Sequence, residues 1–86
     1  MNLAELVRYW ARWRPDHTAI IHNDTRTSWA ELDSRSDAVA RGLRMAGVGK
    51  GDRVGLLMTN RIEAPIVTVA CLKLGAIFVP LNFRLT

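Results

Sequence analysis

Residues 53–82, "RVGLLMTNRIEAPIVTVACLKLGAIFVPLN", hold two short apolar runs on either side of a longer one. The short runs, residues 53–58 and 76–81, are nearly continuous in apolar side chains, which is typical of parallel strands covered on both faces. The segment between them is apolar nearly all round up to Leu74, which predicts a buried helix. A strand, a helix and a strand with so short a crossover predict a right-handed parallel βαβ unit.

The ends of this helix carry their own signals. Asn60 and Glu63 have the spacing of a capping box. Pro65 must lie in the first turn, so the helix begins at Asn60 or a residue or two later. Gly75 is placed to end it.

A second helix is predicted over residues 29–46. Ser28 precedes Glu31 by three residues, so the hydroxyl and the carboxylate can each satisfy an exposed backbone N–H. Gly47 sits where a helix C-terminus favours positive φ. The face expected to meet the core contains Leu32, Ser36, Val39, Ala40 and Leu43.

Two short β-prone runs, residues 18–22 and 25–29, flank Asn23 and Asp24. Both turn residues tolerate the left-handed backbone of a tight hairpin, so we predict a β-hairpin. The expected fold class is α/β: a partial, layered segment of helices and parallel strands, preceded by an N-terminal helix and a hairpin.

The N-terminal helix is predicted over residues 2–14 and ends at Pro15. Two interpretations of its apolar stripe stay open. The favoured one docks the stripe on a domain core; the alternative is a small basic interaction module whose tryptophans and arginines bind an anionic membrane surface. The stripe contains Leu3, Leu6, Val7, Trp10 and Trp13, with Glu5, Arg8, Tyr9 and Arg12 facing away.

The glycine-rich loop "GVGKGD" at residues 47–52 resembles a phosphate-binding loop only superficially. Such a loop follows a strand and opens a helix, whose N-terminal N–H groups bind the anion. Here the order is reversed, and Lys50 is followed by glycine instead of serine or threonine. We interpret the loop as a bend.

Composition excludes several classes of protein. Hydrophobic residues make up 49% of the 86 residues and charged ones 23%, as in globular chains. The net charge of +4 comes from interspersed signs, with Glu31–Arg35 and Asp37–Arg41 expected as outward ion pairs. A basic stripe interleaved with stacking aromatics is missing, so we expect no nucleic-acid partner.

No apolar run approaches the roughly 20 residues of a membrane-spanning helix, and we see no secretory signal. A lone Cys71 cannot form an internal disulfide. These features predict a cytoplasmic location, or a membrane-peripheral one under the alternative interpretation of the first helix.

Candidate reactive residues are few. His17 and His22 have no second ligand at metal-binding spacing. Ser28, Ser34 and Ser36 lack the context of a nucleophilic serine. We therefore predict no catalytic, cofactor-binding or metal-binding residue in this chain.

From Thr27 onward the sequence resembles the N-terminal part of adenylate-forming acyl-CoA synthetases. The matching landmarks, in order, are "TSWAEL" at 27–32, "GVGKGDRVGLLMTN" at 47–60, Glu63 opening the next helix, and "KLGAIFVPLNFRLT" at 73–86. The resemblance covers essentially the whole chain from about residue 3, and it implies that residues 1–86 are the N-terminal part of a large AMP-binding domain.

The resemblance implies the chemistry of a ligase in fatty acid metabolism. A carboxylate, in the first place that of a fatty acid, attacks the α-phosphate of ATP, and coenzyme A then displaces AMP to give the thioester. Mg²⁺ would offset phosphate charge. The family's catalytic motifs are missing from this sequence, so nothing catalytic is carried over. For Asn82 and Arg84 the resemblance offers a place toward the coenzyme A side of the parent enzyme, but we favour the interpretation that they cap the strand and face solvent.

We also expect residues 1–86 to be one segment of a larger assembly. Two strands and a hairpin leave sheet edges unpaired, and the apolar helix needs more cover than a chain this short provides. Thr86 would suit the N-cap of a further helix. The expected partner is the remainder of the same enzyme chain, and the segment alone should be inactive.

Overall fold

The computed structural model describes residues 2–58 and 63–82. The elements run in the order α1 (Leu3–Trp13), β1 (Thr18–His22), β2 (Thr25–Ser28), α2 (Trp29–Met45), β3 (Arg53–Met58), α3 (Glu63–Leu74) and β4 (Ile77–Asn82). Within this part of the chain β1 pairs with β2, and β3 pairs with β4. None of the helices described is both long and apolar enough to cross a bilayer.

The C-terminal half forms the predicted parallel βαβ unit. β3 and β4 pair in parallel from Arg53 opposite Ile77 to Met58 opposite Asn82. The Ile77 N–H also donates to the Asp52 carbonyl at 2.7 Å, at the start of the ladder. Gly75 ends α3 with φ of +73°, as expected. Asn60 of the expected cap lies outside the described residues.

Helix α3 is buried along one side and half-buried elsewhere. Its buried residues are Ile66, Val69, Ala70 and Cys71, while the helix from Ala64 onward is otherwise half-buried. The described residues that pack against α3 belong to α1, α2, β3 and β4. No described side chain of α3 from Ala64 onward is exposed, so the prediction of a buried helix without a solvent-facing side is confirmed. The half-buried positions are those that these elements cover only in part, as expected for so short a chain.

The hairpin forms as predicted. Asn23 and Asp24 have φ of +47° and +66°, which is the backbone of a two-residue type I′ turn. The ladder between the strands is antiparallel, with an irregularity between Thr18 and Ile20. Trp29, which the sequence placed both in the second run and at the start of the second helix, is the first residue of α2, because Ser28 caps that helix.

Both ends of α2 form local motifs that the sequence predicts. Ser28 Oγ accepts from the Glu31 N–H at 3.1 Å, and the Glu31 carboxylate accepts from the Ser28 N–H at 3.5 Å. At the other end Gly47 has φ of +96°. The Gly47 N–H donates to the Arg44 carbonyl, and the Val48 N–H donates to the Leu43 carbonyl. These two hydrogen bonds form a Schellman motif.

Helix α1 docks through a different face from the predicted one. Ala4 and Val7 are buried and Ala11 is half-buried, and these three follow the i, i+3, i+7 spacing of one face. Leu3, Trp10 and Trp13 remain 45%, 36% and 55% exposed. Small alanine side chains let α1 approach its neighbours closely, whereas indole rings would hold it away. The prediction that Leu3, Trp10 and Trp13 dock on the core is therefore wrong.

The core joins the three helices to the hairpin. Its buried members come from α1, α2 and α3, and the half-buried ones add β1. The face of α2 predicted to meet the core does so. The buried cluster is Ala4, Val7, Leu32, Ile66 and Val69, with Ala19, Ile20, Trp29, Val39 and Leu72 packed against it.

Gly47→Ala tests the cap of α2. A Cβ at Gly47 would meet no atom within 4 Å, so the cost is that of a left-handed backbone alone. We expect the free energy of unfolding to fall by about 1 kcal/mol, measured by circular dichroism in urea. Gly42→Ala is the control: it lies inside α2 with equal space, and should raise stability by up to ~1 kcal/mol. Equal effects of the two substitutions would contradict this account.

Candidate functional site

The glycine-rich loop is a bend whose amides bind protein acceptors. The Gly49 N–H donates to Asp52 Oδ2 at 2.7 Å. The Gly51 N–H donates to the Gly75 carbonyl at 2.9 Å, and the Asp52 N–H to the Gly49 carbonyl at 3.1 Å. The loop therefore ties the start of β3 to the turn after α3, and these three groups are not offered to a phosphate.

The histidines and serines weighed above are not brought into one site. His17 is exposed and uses its backbone to join Arg14 and Trp29. His22 lies at the end of β1 beside the turn. Ser34 is exposed, and Ser28 serves as the cap of α2.

No three His, Cys, Asp or Glu side chains within residues 2–58 and 63–82 come together as metal ligands could. The backbone of Asn82 ends β4. Arg84 and Thr86 lie outside the described residues.

The principal polar feature is a group of side chains that we call the Lys73 cluster: Arg8, Asp33, Ser36, Asp37 and Lys73. Lys73 reaches from α3 to α2, where its Nζ lies 2.6 Å from Asp33 Oδ1 and 2.7 Å from Asp37 Oδ1. It also donates to Ser36 Oγ at 2.8 Å and to the Asp33 carbonyl at 3.0 Å. The ammonium group therefore sits among four oxygen acceptors of one helix.

Helix α1 joins the cluster from the outside through Arg8. Its Nη2 lies 3.0 Å from Asp37 Oδ1, and its Nε lies 3.7 Å from Asp33 Oδ1. The Lys73 side chain is only 12% exposed, whereas that of Arg8 is 63% exposed. The Lys73 ammonium group is thus largely shielded from water, whereas Asp37, with a side chain 37% exposed, and Arg8 remain in contact with it.

This cluster is not predicted from the sequence, in which the i, i+4 spacing assigns Asp37 to Arg41. Among the described residues Asp37 lies within ion-pair distance of Arg8 and Lys73 instead, while the expected Glu31–Arg35 pair is present at 4.0 Å. A usable signal existed: Lys73 is a cation within an apolar helix, and such a buried charge requires partners on a neighbouring element.

The arrangement is suited to holding helices together and not to acid–base catalysis. Partial burial tends to raise the pKa of Asp37, but the hydrogen bond from Lys73 and the charges of Lys73, Arg8 and Arg41 outweigh it, so the pKa lies below its usual value. The described side chains leave no buried polar atom unpaired. A groove of about 440 Å³ lies beside the cluster, and opposite charges line it.

Lys73→Met removes the central charge while keeping an unbranched side chain of similar length. Asp33 and Asp37 would then face each other with only the exposed Arg8 between them. We expect the free energy of unfolding to fall by about 2 kcal/mol, since breaking a buried pair is costly but the carboxylates keep some water. Lys50→Met, at an exposed loop position, should change urea unfolding by less than ~0.5 kcal/mol; a similar loss there would contradict the assignment.

The lowered pKa of Asp37 gives a dependence of stability on pH. A carboxyl whose folded pKa is depressed adds stability above its unfolded pKa, about 3.9, and that stability is lost as pH falls through the folded value. Asp37→Asn should therefore lower the free energy of unfolding at pH 7. The difference in this free energy between the variant and the wild type should become smaller below about pH 4. Asp24→Asn, at an exposed turn position that accepts asparagine, is the control for urea unfolding at both pH values. A difference for Asp37→Asn that is constant with pH would exclude the ionic contribution.

Comparison with known proteins places this fold. The sequence is 39% identical over 84 residues to a medium/long-chain-fatty-acid–CoA/3-oxocholest-4-en-26-oate–CoA ligase of Mycobacterium marinum, covering 98% of this chain and 15% of that protein. It is 48% identical over 75 residues to a feruloyl-CoA synthase of Amycolatopsis sp, covering 87% of this chain and 15% of that protein. The chain thus spans about 15% of the length of these curated relatives.

Solved structures agree with the sequence relatives. The Mycobacterium tuberculosis fatty acyl CoA synthetase superposes with a TM-score of 0.88 at 35% identity, over 98% of this chain and 17% of that one. The Klebsiella oxytoca NpsA N-terminal subdomain superposes with a TM-score of 0.84 at 28% identity, over 93% of this chain and 21% of that one. The family model described as AMP-binding enzyme matches residues 7–86. The α/β assignment and the resemblance are therefore confirmed, and the chain belongs to the family of AMP-binding enzymes.

Proposed function

We propose that residues 1–86 form the N-terminal part of the large domain of an AMP-forming carboxylate–CoA ligase, and that they serve as scaffold. One observation carries the proposal: the family match extends over residues 7–86, and relatives named as CoA ligases align over 87–98% of the chain. The alternative of an independent membrane-binding module has no comparable support among these relatives.

The proposed reaction has two steps. A carboxylate oxygen attacks the α-phosphorus of ATP, so that pyrophosphate leaves and an acyl-adenylate forms. The thiol of coenzyme A then attacks the acyl carbon, AMP leaves, and the thioester remains. The parent enzyme would use Mg²⁺ to offset charge on the phosphates.

We infer that the described residues support the domain and do not themselves bind nucleotide or metal. Two observations support this inference: the amides of Gly49, Gly51 and Asp52 already have protein acceptors, and the Lys73 ammonium is surrounded by acceptors of α2. No step of the reaction is therefore assigned to residues of this segment, and the reacting groups belong to the remainder of the parent chain.

The proposed acid substrate is apolar. The relatives are named for medium- and long-chain fatty acids, a steroid acid and ferulate, and we favour a fatty acid. The proposed location is the cytoplasm, with membrane contact through α1 as an additional association of the parent enzyme.

The scaffold role follows from what the segment offers to its parent chain. The Lys73 cluster and the core fix α1, α2 and α3 against one another. Within the described residues β3 and β4 each keep one edge without a strand partner. Such edges favour addition of further strands, which the remainder of the enzyme would supply.

A chimera tests this proposal. Residues 1–86 would replace the aligned segment of the Mycobacterium marinum ligase, and pyrophosphate release would be followed with a panel of fatty and aromatic acids. We expect activity from the chimera and none from the 86-residue chain alone. A Lys73→Met chimera should lose activity in proportion to its lost stability, with Lys50→Met as the matched control. A folded chimera that is silent with every acid, or adenylate formation by the chain alone, would contradict the proposal.

A further inference from the structure

One face of α1 presents large apolar side chains to solvent. We call Leu3, Tyr9, Trp10 and Trp13 the aromatic stripe; Tyr9 is 49% exposed, and the others are 36–55% exposed. The rings contact each other, with centroids 5.2 Å apart for Tyr9–Trp10 and 6.4 Å apart for Tyr9–Trp13. Trp10 also stacks on Trp29 of α2 at 6.2 Å, which anchors the stripe to the core.

Arginines accompany the stripe at the C-terminal end of α1. The Arg12 guanidinium lies 5.6 Å from the centre of the Trp13 ring, and Arg14 Nη1 donates to the Trp13 carbonyl at 2.8 Å. Within the described residues neither arginine lies within ion-pair distance of a carboxylate, in contrast to Arg8. No acidic residue occurs between Glu5 and Asp16. This end of the helix is therefore both apolar and positively charged.

We propose that the aromatic stripe, with Arg12 and Arg14, is a docking surface for an anionic lipid bilayer. Tryptophan and tyrosine have an apolar body and a polar edge that suit the interface between headgroups and acyl chains. Arginine can bury its stem there while its head contacts lipid phosphates. The inference deepens the membrane contact proposed above for α1 by naming the side chains and the lipid charge involved, and it does not depend on the ligase activity.

Charge decides between a bilayer and a second copy of the chain. A symmetric dimer through this face would bring equivalent surfaces together. In such a dimer a residue of one copy meets a different residue of the other, and Glu5 is the one acid within α1, so it could compensate one of the two arginines but not both. An anionic bilayer instead complements both arginines while covering the rings.

Co-sedimentation with vesicles tests the proposal on the 86-residue chain, without nucleotide or acid substrate. The vesicles are phosphatidylcholine alone, or phosphatidylcholine mixed with phosphatidylglycerol. We expect binding to the anionic vesicles only, weakening as salt is raised. The same assay on the chimera asks whether the surface stays accessible in a complete enzyme, and we expect binding there too.

Matched variants assign the binding to the stripe. Trp13→Ser should lower the partition coefficient roughly tenfold, because it removes the most exposed ring. Arg12→Gln and Arg14→Gln should each lower it roughly fivefold. The controls are Ile21→Ser and Arg26→Gln, which are cross-strand neighbours on the exposed part of the hairpin, and both should bind as wild type.

Several results would overturn the proposal. These are equal binding to neutral vesicles, no binding to either kind, or a loss in Ile21→Ser that matches the loss in Trp13→Ser. Binding by the short chain but not by the chimera would show that the rest of a ligase covers the stripe. Self-association in sedimentation velocity that Trp13→Ser abolishes would assign the surface to a second copy.

Discussion

The fold depends on a buried ammonium group that needs several oxygens at once. Lys73 lies on an otherwise apolar helix, and its side chain is 12% exposed. Its charge is stable there only because Asp33, Ser36 and Asp37 of the facing helix supply acceptors at 2.6–3.0 Å. From α1, the guanidinium of Arg8 then balances the charge of the second carboxylate, that of Asp37. Such directional contacts restrict how α2 and α3 can rotate and slide against each other more than apolar packing does.

Local features of the chain are predictable because their causes lie within a few residues. The hairpin turn at Asn23 and Asp24, the capping box at Ser28 and the left-handed Gly47 depend on backbone geometry and neighbouring hydrogen bonds. The parallel pairing of β3 with β4 follows from two apolar runs and a short crossover. All of these were predicted and are present.

What the sequence could not predict depends on contacts between distant segments. Periodicity places Trp10 and Val7 on the same broad stripe of α1. Contacts with the partner helices decide that Val7, Ala4 and Ala11 pack against them while Trp10 remains exposed. Asp37 likewise has a sequence neighbour in Arg41, yet it pairs with Lys73, 36 residues away. The Lys73 cluster could be predicted only in part: a lysine within an apolar helix requires partners, but the sequence does not say which element supplies them. The proposed scaffold role agrees with these contacts, because the polar residues of the Lys73 cluster serve packing between helices. Within residues 2–58 and 63–82, β3 and β4 each also keep one edge without a strand partner.

Amide hydrogen exchange tests the central claim, that the Lys73 cluster holds three helices as one unit. The comparison is between the wild-type chain and Lys73→Met, followed residue by residue under native conditions. If the cluster holds the helices as one unit, protection falls together in α1, α2 and α3, while the hairpin turn changes little. Loss of protection confined to α3, with α1 and α2 unchanged, would contradict it.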